Sequence, residues 1–141
     1  MSDEVATRLL IRPSPYESAL ELLQRTVALA CLVEGIGYWV RLLGFFDGPA
    51  WRFDLMPYYW QVAAVPLAVL FPFAAVGLWM LASWGPVVWF ICAAAEIVMY
   101  GFFPELYGQH YLVLVLHLAV ALCYTALRIL YHVERRRINP G

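Results

Sequence analysis

From Val62 to Ala82 the chain carries no charged side chain. That is about the length a helix needs to cross the ~30 Å hydrocarbon layer of a bilayer at 1.5 Å rise per residue. Comparable apolar runs, with few interruptions, occupy 26–46, 86–103 and 109–131. Four such runs in 141 residues leave no room for a separate soluble domain. With 64% hydrophobic and 13% charged residues, the chain has about half the charge of an ordinary soluble domain, which carries ~25%. So few polar groups cannot cover a water-facing surface, whereas in lipid the apolar side chains can point outward. The expected fold is all-α: a polytopic membrane protein whose four transmembrane helices form an up-down bundle, with the lipid bilayer as its first partner.

The boundaries follow from local chemistry. Residues 1–14 read as a polar cytosolic arm. Ser14-Pro15-Tyr16-Glu17 reads as a helix start, with Ser14 as cap, Pro15 at the first helical position and Glu17 completing a capping box. Nothing then breaks the helix before Gly44, so its first turns should protrude from the membrane. Asp47-Gly48-Pro49 is a turn, and the aromatic group around Arg52 and Asp54 (Trp51, Phe53, Tyr58, Tyr59, Trp60) suits the headgroup level. Pro66 and Pro72 predict a bent second helix. Ser83-Trp84-Gly85-Pro86 and Pro104-Glu105-Leu106-Tyr107-Gly108 are the remaining connections, and 132–141 is a basic cytosolic tail. Ala28-Leu29-Ala30-Cys31 has a faint likeness to a lipoprotein cleavage box, but too few apolar residues precede it for a signal sequence.

Arginine placement predicts orientation. Arg8, Arg12 and Arg25 precede the first span, and Arg128, Arg135, Arg136 and Arg137 close the last; on the other side Arg52 is alone in a loop, with Arg41 approaching it. The positive-inside rule then makes both termini cytoplasmic. Arg25, Trp51, Arg52, Tyr58, Tyr59, Trp60, Arg128, Arg135, Arg136 and Arg137 are the expected membrane-interface anchors. A net charge of −1 gives nucleic-acid binding no electrostatic support. Cys31, Cys92 and Cys123 all fall in apolar runs without metal-ligand spacing. His110 and His132 stand ~33 Å apart along one helix, too far for a haem between them. No metal, cofactor or catalytic residue is expected.

Four ionisable side chains interrupt the spans: Glu34, Arg41, Glu96 and His117. Each costs about 2.5–3.5 kcal/mol at a helix centre on insertion scales, so such groups turn inward and find partners. Glu34, Tyr38 and Arg41 recur at i, i+4, i+7 and share a face; so do His117, Tyr124 and Arg128. Counting back from Phe46, Phe103 and Gln109 puts Arg41, Glu96 and His117 in one layer, with Glu34 deeper. The expected polar cluster is therefore Glu34, Tyr38, Arg41, Glu96, His117 and Tyr124. Its expected ion pair is Arg41 with Glu96 or Glu34, with His117 bonded to a glutamate. The alanine patches Ala63-Ala64 with Ala68 and Ala93-Ala94-Ala95 allow close helix approach, inside the bundle or against another protein.

The stretches Tyr38-Trp39-Val40-Arg41-Leu42-Leu43-Gly44, Arg52-Phe53-Asp54-Leu55-Met56-Pro57, Trp84-Gly85-Pro86-Val87-Val88-Trp89 and Ala95-Glu96-Ile97-Val98-Met99-Tyr100 resemble a family of small, uncharacterised four-helix membrane proteins from alphaproteobacteria, a domain of unknown function. The resemblance covers roughly 20–137. It implies a bacterial inner-membrane protein and brings no activity to transfer. A looser similarity to DoxX-like proteins concerns helix number and size alone. Minimal loops and the lack of any nucleotide motif favour a non-enzymatic accessory subunit that binds another membrane protein or itself. The alternative is a small oligomeric transporter or proton-coupled protein built on the Glu/Arg/His cluster.

Overall fold

The computed structural model describes residues 3–4 and 14–141. Most of the arm expected at 1–14, with Arg8 and Arg12, lies outside the described residues. Every regular element among those described is helical. Helix α1 runs Pro15–Leu43, α2 Tyr58–Trp79, α3 Gly85–Ile97, the single turn α4 Pro104–Tyr107, and α5 Tyr111–Ile138; a 3₁₀ turn at Phe53–Leu55 precedes α2. The segment Val98–Phe102 continues α3 as a π-helix, so this third long element spans Gly85–Phe102. All four long helices are long and apolar enough to cross a membrane.

Helix α1 starts where its capping chemistry allows: the Ser14 hydroxyl accepts from the Glu17 backbone N–H at 3.2 Å, with Pro15 at the first helical position. Among the described residues Glu17 returns no side-chain bond to Ser14, so only half of the box forms. The helix ends at Gly44, whose φ of 65° a glycine adopts without strain and whose N–H bonds the Arg41 carbonyl.

Helix α2 runs unbroken through both prolines. Pro72 has no N–H, so the Ala68 carbonyl four residues earlier loses its helical donor. The Trp39 indole N–H of α1 supplies that bond at 2.9 Å. Beside it, a Cβ on Gly35 would lie 2.8 Å from the Pro72 ring carbons. The absent side chain lets α1 and α2 touch, and the proline's orphan acceptor ties them together.

Between α2 and α3 the chain turns through a Schellman-type end: Ala82 N–H bonds Gly77 C=O and Leu81 N–H bonds Leu78 C=O, with Leu81 itself at φ 57°. Gly77 and Gly85 pack backbone to backbone there, since a Cβ on Gly85 would lie 2.6 Å from the Gly77 carbonyl carbon. The core is centred on α2, where Ala64, Leu67, Ala68, Phe71 and Ala74 are fully enclosed, joined by Cys31, Trp89, Cys92 and Ala93. The alanines at 64, 68 and 93 thus serve packing inside the bundle. Outward stand large apolar side chains such as Leu22, Val33, Val69 and Leu122, the last 71% exposed.

At one end the two connections meet. The Tyr107 hydroxyl donates to the Tyr59 carbonyl at 3.0 Å, and its ring packs edge-on against Tyr59 and Trp60. The α1–α2 and α3–α5 connections thus close the same end of the bundle.

Candidate functional site

Glu96 is 3% exposed and both of its carboxylate oxygens are held. The Tyr38 hydroxyl of α1 donates to Oε1 at 2.7 Å, and His117 Nε2 of α5 lies 2.6 Å from Oε2. Against a carboxylate acceptor the Nε2 is the protonated nitrogen. Three helices therefore meet on one side chain of α3. The Tyr38 ring is fixed in turn by stacking on Phe71, and the His117 ring lies edge-on to Trp89.

Glu34 completes the group. One carboxylate oxygen of Glu34, one of Glu96 and one ring nitrogen of His117 all lie within 4.8 Å of one another. Glu34 Oε2 is buried yet has no hydrogen-bond partner. Cys31 and Cys92, both buried, stand one turn before Glu34 and Glu96 on their helices. Immediately after Glu96 the backbone widens into the π-helix, a form concentrated at functional sites, and this segment delivers the buried Tyr100. A cavity of about 160 Å³ lined by Glu34, Gly37, Tyr38, Arg41 and Tyr100 opens beside the cluster.

Two expectations need correction. Arg41 forms no ion pair with Glu96 or Glu34: among the described residues the arginine–carboxylate pair is Arg52–Asp54, and it is His117 that meets Glu96. Its guanidinium instead lies over the rings of Tyr38, Trp51 and Trp60 at 5.7, 5.2 and 5.2 Å. The reason is where α1 stops. The helix ends at Leu43, as the break at Gly44 implies, whereas the depth count starts from Phe46, ~4.5 Å further on, so Arg41 sits in the last turn and reaches the aromatic rim. Glu34 takes the place beside Glu96 and His117. Tyr124 also stands apart from the cluster: nearly two turns beyond His117, it packs edge-on to Phe90 and lines a crevice with Leu23, Val27 and Trp89.

A family of unknown function, DUF6163, matches residues 18–135. The chain belongs to this family. No curated protein and no solved structure matches it. The part shared with DUF6163 contains Glu34, Tyr38, Glu96 and His117, so the whole cluster lies within the matched region, and the family carries no assigned activity to set beside it.

The remaining expected residues of this DUF6163 chain mark the two ends of the bundle. Arg25 lies over Trp79 at 5.6 Å, Arg135 over Tyr131 at 5.5 Å, and Arg128 shares a polar cleft with Glu17, Glu21 and Gln24. Arg136 and Arg137 are exposed in the last turns of α5. At the opposite end Trp51 covers Arg41, Tyr58 is 79% exposed, and Tyr59 and Trp60 hold Tyr107. Arg52 grips Asp54 with two bonds, at 3.0 and 2.6 Å, which hold that carboxyl below its ordinary range. Sequence reasoning placed Glu34, Glu96 and His117 in one polar cluster but expected no metal there; what it missed is how closely one ligand atom of each converges. No spacing signals it, because each residue comes from a different helix.

Proposed function

We propose that this chain is a multi-pass protein of a bacterial inner membrane, with both termini cytoplasmic, and that it works as a non-enzymatic subunit packed against another membrane-embedded helix. The observation that carries the subunit reading is α5. In its most apolar stretch 6% of residues are buried, against 44% for α2 and for the third long helix. Of its described residues only His117 is buried. Ala119, Cys123 and Ala126, spaced i, i+4, i+7, are all exposed and form a smooth strip. Small residues in such a strip let a second helix approach closely, which is how helices associate in lipid, where no hydrophobic driving force acts between them. Leu116 and Leu122 flank the strip, both exposed.

The chain supplies its own reporter. Cys123 is exposed, whereas Cys31 and Cys92 are buried. Treating native membranes with a lipid-soluble bismaleimide should yield a Cys123-dependent adduct, absent in Cys123→Ser and weakened in Ala119→Leu. A band of twice the chain mass makes the partner a second copy; any other mass makes it a different protein. If Cys123 reacts fully with a lipid-soluble monomaleimide and no adduct forms, the strip faces lipid and the subunit reading fails.

A further inference from the structure

We infer that Glu34, Glu96 and His117 form an intramembrane binding site for one divalent transition-metal ion of borderline hardness, in the range of manganese, iron or zinc.

Geometry comes first. Carboxylate oxygens and imidazole nitrogens sit about 2.1 Å from such ions, so two ligands of one ion are at most ~4.2 Å apart. Neighbouring ligands of a tetrahedral ion stand ~3.4 Å apart, so three ligand atoms already within 4.8 Å of one another converge on one centre with shifts of under ~1 Å each. The 2.6 Å separation of His117 Nε2 from Glu96 Oε2 opens to ~3 Å when an ion takes the proton's place between them. An ion on Nε2 needs that nitrogen's lone pair, so the ring's proton passes to Nδ1 and the ligand remains a neutral imidazole.

The buried oxygen Glu34 Oε2, which has no partner, gains one. Charge balances as well. Two carboxylates and a neutral imidazole carry −2, which a divalent ion cancels inside an apolar bundle where an uncompensated charge is costly. The cation that could have done so, Arg41, is turned to the aromatic rim. Two oxygens and one imidazole suit manganese, iron and zinc rather than soft ions.

The surrounding groups match a metal centre's outer shell. The Tyr38 hydroxyl on Glu96 Oε1 fixes the ligand carboxylate through its second oxygen. The cavity lined by Gly37, Arg41 and Tyr100 leaves room for water or a small anion at an open coordination position. All three ligands belong to one chain, so the site does not depend on what packs against α5.

The test uses the full chain purified in mild detergent, stripped with chelator, and titrated with Co²⁺, Mn²⁺ and Zn²⁺ separately. One ion per chain should bind, Co²⁺ should show ligand-field bands of an oxygen/nitrogen site, and Zn²⁺ should raise the unfolding temperature. Glu34→Gln should lower affinity at least ~100-fold while leaving the metal-free unfolding temperature close to that of the parent, because Glu34 Oε2 makes no hydrogen bond to lose. Ion bound equally by parent and Glu34→Gln belongs to surface groups such as the exposed His110 and His132 and overturns the site. Absence of saturable binding of all three ions overturns it too, leaving a hydrogen-bonded network alone.

Discussion

The Tyr38 hydroxyl and the His117 ring each hold one oxygen of Glu96, yet their removal should cost very different amounts. Tyr38→Phe deletes one hydrogen bond and keeps the ring stacked on Phe71. Side-chain hydrogen bonds between membrane helices average ~0.6 kcal/mol and reach ~1.7 kcal/mol, and the loss should fall in that range. His117→Leu leaves a buried carboxylate oxygen bare, a change that costs about 3–5 kcal/mol for a broken buried pair, and replaces the one buried side chain of α5. Reversible unfolding of both variants in bicelles measures the difference; equal small losses would show that Glu96 is not held as a buried charge. The rim arginine allows a second comparison. Arg41→Lys keeps the charge but loses the flat guanidinium shared by three rings, and should cost about 0.5–2 kcal/mol. These residues also show what sequence discloses. That Glu34, Glu96 and His117 must turn inward follows from the cost of charge in lipid. Which of Glu34 and Arg41 meets Glu96 depended on counting depth from the helix end at Leu43 and not from the apolar limit at Phe46, a difference of three residues that hydropathy does not resolve.

Helix contacts turn on two glycines of α1 that look alike in sequence and differ in place. Gly35 faces the Pro72 ring, a rigid group that cannot swing away, and a Cβ there would come within 2.8 Å of it. Gly35→Ala should therefore push α1 from α2 and cost about 1–3 kcal/mol, loosening the Trp39 bond to Ala68 with it. At Gly37 a methyl would meet nothing within 4 Å, so Gly37→Ala should stabilise the helix by up to ~1 kcal/mol. Thermal unfolding of the two variants side by side gives the sign of each, and a loss at Gly37 matching that at Gly35 would refute the packing account. The element scale was largely legible beforehand: Ser14-Pro15, the proline-containing second helix and the turn residues all act through local chemistry that a sequence carries. The π-helix at Val98–Phe102 was not, since no residue pattern in that stretch signals it.

For the molecule, the two ends of the bundle differ in charge more than in shape. One end gathers Arg25, Arg128, Arg135, Arg136 and Arg137; the other holds Arg52 neutralised by Asp54, and Arg41 folded under aromatic rings. Ring-covered and ion-paired arginines present little free charge to a membrane surface, so the asymmetry is sharper than the residue count alone suggests. Four helices of alternating direction return the tail to the side of Pro15, and the Tyr107–Tyr59 contact joins the two connections on the opposite side. A reporter active only in the periplasm should work when inserted after Gly48, in the exposed turn, and fail after Gly141, where a reporter that folds only in the cytoplasm should work instead. Changing Arg135, Arg136 and Arg137 together to glutamine should leave a fraction of molecules inverted, because the positive side near the last span sets orientation. Wild-type signals of the opposite sign would reverse the proposed orientation while leaving the helix order intact, whereas the same reporter active at both sites would contradict the four-span reading itself, since three spans separate Gly48 from Gly141.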